Sequence, residues 1–239
     1  MKAKRFIGET FPFLADFVLN SRYFFKSDPT QYGELEVLKK YLPSRGSYIE
    51  LGGWMPVTYS NSFALKKLKM SYKGTSIDPT PGLKWLWRLF RPSDKFESIA
   101  VVSHNNNVGE VTLECFRRRF AVVNRISIDG ILPQGALSLG SDVYGVPTKV
   151  RVPAVSLLDL FQSHLSDSDR LTLLMTDIEG LDFDVLSDLR LLQHQLPRFV
   201  LAEDHNSAIE DLLVSLGYEF LEQVGPNKFF RHTAVLGQD

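Results

Sequence analysis

Ser47-Tyr-Ile-Glu-Leu-Gly-Gly53 is the stretch that decides how this chain reads. Four residues of strand character, Tyr48 to Leu51, run straight into two glycines, and the acid Glu50 sits just before the break. One helix-length segment later a second apolar run, Tyr72 to Ile77, ends in Asp78 and is closed by Pro79. Strand, glycine turn, helix, strand and terminal acid outline a nucleotide-binding βαβ unit.

The alternation continues outward from that unit. A third strand is expected over Glu97 to Ser103, a fourth over Leu171 to Met175 and a fifth over Phe199 to Ala202, each apolar as a buried parallel strand is. Helices are expected at Ser62 to Lys69, Pro81 to Phe90, around Phe183, Leu186 and Leu189, and from Ser207 to Leu216, with Gly217 in the C-cap place. Tyr218 to Val224 and Lys228 to His232 close the chain as a hairpin through Gly225-Pro-Asn227. The fold class is therefore α/β, an open doubly wound sheet with an antiparallel edge.

Two regions stand outside this scheme. Residues 104–170 are an insertion between the third and fourth core strands, with an antiparallel strand at Glu110 to Phe116 and glycine-marked loops over 117–146. An excursion this long suits a lid or substrate wall. Residues 1–30 form an N-terminal extension before the domain of residues 31–239. Its residues 11–26 read as a helix packed on the domain, with a lid or a homodimer contact as the sharper alternative. Phe13, Phe17, Tyr23 and Trp54 either wall an apolar acceptor or belong to the core. Thr30 is read as N-cap of a helix running to Leu42.

Bulk composition narrows the function classes. Among 239 residues, 44% are apolar and 23% charged, ordinary for a soluble globular chain, and the formal net charge of −1 offers no basic nucleic-acid surface. The single cysteine, Cys115, excludes an internal disulfide and a Cys-rich zinc site, which fits a reducing compartment. No stretch approaches a membrane span, and Glu9, Asp16 and Asn20 interrupt the apolar residues after the basic Met1-Lys-Ala-Lys-Arg5, against a signal peptide. A cytoplasmic protein is expected.

In open α/β sheets ligands bind beyond the carboxyl ends of the strands. That rule selects Glu50 to Gly53, Asp78, Ser103-His104, Asp177 to Gly180 and Glu203 to His205, four of the five ends carrying an acid. The glycine turn, Gly52-Gly-Trp-Met-Pro56, lacks the third glycine of a nicotinamide site and any Walker-type lysine, so a pyrophosphate cradle is absent. S-adenosylmethionine has no phosphates. Its amino acid end needs close backbone approach, supplied by Glu50 with Gly52 and Gly53, and its ribose diol needs a carboxylate acceptor, supplied by Asp78. Ser103 and Asp177 complete the expected cofactor contacts.

From about Gln31 to Arg231 the chain resembles the FkbM-type methyltransferases. The resemblance rests on Gln31-Tyr-Gly-Glu34, Tyr48-Ile-Glu-Leu-Gly-Gly53, Tyr59-Ser-Asn-Ser62, Gly74-Thr-Ser-Ile-Asp-Pro79, Arg91-Pro-Ser-Asp94 and Leu174-Met-Thr-Asp-Ile-Glu-Gly180 with Asp184-Val-Leu186. It departs where Glu50 replaces an Asp, where Gly53-Trp54-Met55 replaces a small residue and a polar pair, and where Leu181 replaces a polar residue. The resemblance implies a Rossmann-like class I methyltransferase with a mostly parallel seven-stranded sheet in the order 3-2-1-4-5-7-6. It further implies methyl transfer from S-adenosylmethionine to a hydroxyl of a small molecule or glycan, such as a sugar, polysaccharide or secondary metabolite.

An alkyl hydroxyl is protonated at neutral pH, so a proton acceptor or a metal is expected beside it. Asp177 is the first choice as base or orienter, with Glu179 and His205 second. Asp177, Glu203 and Asp204 are the alternative, as oxygen ligands for Mg²⁺. The competing function is a non-catalytic Rossmann-like assembly protein with a degenerate cofactor turn; a nicotinamide-dependent oxidoreductase is disfavoured by the missing glycines.

Overall fold

A computed structural model describes residues 12–106, 109–118, 121–127, 148–165, 170–192 and 195–235. The strands are β1 (Arg45–Leu51), β2 (Ser71–Ile77), β3 (Lys95–Glu97), β4 (Ala100–Val102), β5 (Glu110–Arg118), β6 (Ala121–Ser127), β7 (Thr148–Ser156), β8 (Leu173–Thr176), β9 (Phe199–Glu203), β10 (Tyr218–Val224) and β11 (Asn227–His232). The described helices are α1 (Pro12–Phe24), α2 (Glu34–Tyr41), α3 (Asn61–Lys67), α4 (Leu83–Phe90), α5 (Leu157–His164), α6 (Asp182–Ser187) and α7 (Ala208–Ser215).

Seven strands form one sheet in the order β3-β2-β1-β8-β9-β11-β10. Counted within that sheet alone, the order is 3-2-1-4-5-7-6. Strands β3, β2, β1, β8 and β9 pair in parallel, while β11 runs antiparallel to both β9 and β10. Period-two alternation sends successive side chains of the central strands to opposite faces, and both faces are covered. Ile49, Leu51, Leu174, Val200 and Ala202 join a core with α5, α6 and α7; Tyr48, Leu173, Met175, Phe199 and Leu201 join another with α2 and α3.

Among the described residues the insertion contributes three strands, the one expected at Glu110 to Phe116 included, to a second sheet in the order β4-β7-β5-β6, with β4 from just before it. It changes two expectations. The strand expected over Glu97 to Ser103 is divided: β3 pairs with β2 in the large sheet, while Ala100 to Val102 pairs with β7 in the small one. Within the span read as loops, Ala121 to Ser127 pairs with β5 as a full strand. Val101, Val102, Val111, Leu113, Val152 and Ala154 pack into the same core as α5, so the small sheet is anchored on one face of the large one. The glycine-rich span 128–147 lies outside the described residues.

Local chemistry sets the helix starts. Ser60 Oγ accepts from Phe63 N (3.2 Å) and Ser156 Oγ from Asp159 N (3.1 Å), capping α3 and α5. The helix expected from Thr30 begins later, at Glu34. Asp28 Oδ1 accepts from Thr30 N (2.8 Å), closing an Asx turn that takes Thr30 out of the capping role.

Candidate functional site

The glycine turn is fixed by the sheet around it. Gly52 has φ +79°, and a Cβ there would lie 1.8 Å from the Asp177 carbonyl oxygen, so only glycine lets β1 and β8 end this close together. The amides of Gly52 and Gly53 both donate to Ile77 O, at 2.9 and 3.0 Å. These two glycines therefore bring strand ends together; their N–H groups are committed to β2.

Glu50 is committed as well. Its buried carboxylate accepts from Ser62 N (3.0 Å), Ser62 Oγ (2.6 Å) and Ser76 Oγ (2.6 Å). Behind Ser62 lies Arg91, only 2% exposed. Its Nη1 donates to Ser62 Oγ (2.7 Å), Ser60 Oγ (3.2 Å) and Pro56 O (3.2 Å), its Nη2 to Tyr48 Oη (3.1 Å), and its Nε to Asp94. The guanidinium also stacks over the Trp87 ring at 4.4 Å. Sequence reading quoted Tyr59 to Ser62 and Arg91 to Asp94 but assigned them no part; together they are the frame that holds Glu50 and the start of α3.

Asp78 is buried at the end of β2. Its Oδ2 accepts from Trp54 N (3.1 Å) and its Oδ1 from Thr80 N (2.8 Å), with the Thr80 hydroxyl a further partner. A carboxylate offers about four acceptor positions. With three donors on it, Asp78 has one position left rather than the pair suggested for a diol, and the residue lies behind the walls of the cleft rather than in them. Burial raises the Asp78 carboxyl above the usual carboxylate range, opposed by those hydrogen bonds.

A narrow cleft opens beside the turn, with about 70 Å³ enclosed within about 520 Å³ counted to its mouth. Gln31, Glu50, Gly52, Tyr59, Thr176 and Asp177 are among its walls, and so are Trp54 and Asn61. Among the described residues the buried Trp54 Nε1 and Asn61 Oδ1 have no hydrogen-bond partner, one a donor and the other an acceptor. Neither atom was singled out in the sequence, where Trp54 was read as a departure in the turn and as either an acceptor wall or a core side chain.

A second hollow of about 360 Å³ lies between the loops after β8 and β9. Glu179, Gly180, Phe183, Glu203 and His205 line it. Its shape depends on an unusual loop. Glu179 and Gly180 both take left-handed backbone, at φ +56° and +92°, which is strained for a glutamate. Asp182, buried at the start of α6, ties the loop from inside by accepting from Thr176 Oγ1 and from Ile178 N (3.2 Å).

Four acids crowd the border between cleft and hollow. Asp177 is solvent-exposed at the mouth of the cleft, yet crowding by protein around its carboxyl, and then the charges of Glu203 and Asp182, raise it well above its ordinary value. Asp177 and Glu203 are hydrogen-bonded; burial and the charge of Asp182 raise Glu203 as well, and the bond to Asp177 only partly opposes that rise. Burial, with Asp177 and Asp182 nearby, moves Glu179 from 4.5 to about 7. His205 is exposed, with Nε2 3.1 Å from Glu203 Oε1.

The remaining expected residues are engaged otherwise. Ser103 follows β4 of the small sheet, and its hydroxyl donates to Asp188 Oδ1 (3.0 Å), with no place in the walls of either cavity. Asp204 lies in the wall of the hollow beside Glu203, but its carboxylate is engaged by Lys228 Nζ (3.2 Å) and Glu210 N (3.1 Å). Among the described residues no three His, Cys, Asp or Glu side chains are placed to hold a metal ion. Phe17 packs against Phe90, Tyr23 against Tyr59 at the cleft wall, and the side chain of Phe13 lies outside the described residues.

The raised Glu179 has a consequence for stability. Between pH 4.5 and about 7 the folded protein holds a proton there that the unfolded chain has released. Stability therefore falls as pH rises through that window, and the Glu179 contribution levels off above it. A melting series over this range should slope downward in wild type and less steeply in Glu179→Gln; equal slopes would place the proton elsewhere.

No family model and no curated protein matches the chain. Two solved structures are similar to it. One is the methyltransferase FkbM from Methylobacillus flagellatus KT, 12% identical over 89% of this chain and 50% of that one, with a TM-score of 0.46. The chain thus spans half the length of that protein. The other is a TehB-like SAM-dependent methyltransferase from Corynebacterium glutamicum ATCC 13032 Kitasato, 10% identical over 92% and 96% of the two chains, with a TM-score of 0.40.

Proposed function

We propose that this chain binds S-adenosylmethionine in the cleft beside Gly52 and transfers its methyl group to a hydroxyl of a small molecule or glycan held in the neighbouring hollow. The observation that carries this reading is the pair of buried polar atoms without a partner among the described residues, Trp54 Nε1 and Asn61 Oδ1, on a cleft with Asp177 in its wall. A buried donor and a buried acceptor left open are costly unless a ligand completes them. A zwitterionic amino acid end supplies both: carboxylate oxygens for the indole N–H and an ammonium for the amide oxygen. Asp78 keeps one acceptor position, behind the cleft wall. The general habit of doubly wound sheets to take ligands at the carboxyl edge, where this glycine turn lies, supports the reading.

When bound, the cofactor supplies an electrophilic methyl on a sulfonium. The chain's own residues then have separable parts. Gly52 lets β1 approach β8, which sets Asp177 at the border of cleft and hollow. Asp177 keeps its proton and fixes Glu203 by hydrogen bonding, and Glu203 in turn holds His205. Glu179, which changes charge near neutral pH and lines the hollow, takes the proton from the acceptor hydroxyl. The base role expected of Asp177 is thereby assigned to its neighbour. Residues 31–239 act as the catalytic unit in this reading, with α1 as an added wall.

Melting shifts separate the readings. S-adenosylmethionine at about a hundred times its Kd should stabilise by about 2.7 kcal/mol, whereas NAD should leave the melting temperature unchanged. Asn61→Leu should abolish the shift while folding normally. A shift with NAD alone would favour the oxidoreductase reading, and no shift with either would favour a non-catalytic module.

A further inference from the structure

Helix α4 buries Leu83, Leu86 and Trp87 and turns Lys84, Trp85, Arg88 and Leu89 to solvent, Trp85 being 37% and Leu89 54% exposed. Helix α1 lies beside it, with the Phe17 and Phe90 rings 5.6 Å apart. It presents its own stripe at i, i+3 and i+4: Leu14, Phe17 and Val18, exposed by 47%, 39% and 48%. Single exposed apolar side chains are ordinary, but five on two neighbouring helices mark an interaction face.

The charge of this face is predominantly positive. Helix α4 carries Lys84 and Arg88 and no acid; α1 and the residues just after it carry Arg22 and Lys26 against Asp16. The whole chain, by contrast, has a formal net charge of −1. Apolar and aromatic side chains interleaved with cations match an anionic lipid surface, in which rings enter the headgroup boundary while lysine and arginine meet phosphates. A second copy of the chain is a poorer match, because self-docking would set these cations against one another. Among the described residues no helix is long and apolar enough to cross a membrane, so the contact is peripheral.

We propose that the α1–α4 face docks this protein on an anionic membrane surface. This inference does not depend on the cofactor reading. The docked helix is nevertheless tied to the cleft, since Asn20 Oδ1 in α1 accepts from Val57 N (3.1 Å) and Thr58 N (3.3 Å), and Thr58 lines the cleft.

Co-sedimentation of the full chain with phosphatidylglycerol and with phosphatidylcholine vesicles tests it. Binding is expected to the first and not the second, and to weaken as salt is raised. Lys84→Gln with Arg88→Gln should lower partitioning by about 30-fold, at roughly fivefold per basic residue. Trp85→Ser with Leu89→Ser should remove it, and both double variants should melt as wild type does. Equal binding to the two vesicle types, or none to either, would overturn the proposal. So would a wild-type dimer that Trp85→Ser with Leu89→Ser dissociates without any vesicle binding. The lipid and salt comparison on wild type decides the matter even where a variant folds poorly.

Discussion

Replacing Glu179 by glutamine should lower methyl transfer by about 10²- to 10⁴-fold, the range a positioned general base contributes. Glutamine keeps the size of the side chain and its carbonyl acceptor but takes no proton. Glu179 is the carboxyl of the hollow moved to about 7, whereas Asp177, raised further and hydrogen-bonded to Glu203, lines the cleft instead. Wild-type turnover should accordingly rise with pH through a midpoint near 7, following ionisation of the carboxyl, and the glutamine variant should lose that rise. Labelled-methyl incorporation into an acceptor that wild type uses measures both. Cofactor affinity should stay unchanged, since Glu179 lines the hollow rather than the cleft. Full turnover in Glu179→Gln together with loss in Asp177→Asn would return the base role to Asp177.

The second large effect is on the frame. Arg91→Met removes a guanidinium that is 2% exposed and holds Ser62, Ser60, Tyr48, Pro56 and Asp94 together. Removing one partner from a buried charged network costs about 3–5 kcal/mol, because the other partners stay buried without it. For a chain of this size that corresponds to a fall in melting temperature of roughly 10 °C. Asp94 keeps Lys66, so the loss is not total. Burial opposes but does not outweigh Arg91 and Lys66, which hold the Asp94 carboxyl below its ordinary value of 3.8. The stability that this depression gives is present at higher pH and is lost as pH falls through the acid range. Arg91→Met should therefore also flatten the acid limb of the melting profile. A variant melting within a degree or two of wild type would show that the network contributes little.

Much of the sheet was legible because a buried parallel strand announces itself by a short apolar run and a polar end. Leu51-Gly52, Asp78, Asp177 and Glu203 were placed on one edge by that rule alone, and there they lie. The division of the third strand was not legible: Ile99-Ala-Val-Val102 is equally apolar whether it pairs with β2 or with β7, and pairing is a tertiary choice. Strand β6 was hidden by the glycine-rich residues that follow it. Site chemistry was misread for a related reason. Sequence displays Glu50 and Asp78 as acids but does not display Ser62, Ser76, Trp54 N or Thr80, which occupy them. Conversely, Trp54 and Asn61 carry open polar atoms only because of how the cleft closes around them.

Calorimetric titration of the wild-type chain with S-adenosylmethionine tests the central claim most directly. Saturable binding to one site per chain, lost in Asn61→Leu, is the predicted result; the absence of any binding signal with the folded wild-type protein would contradict it.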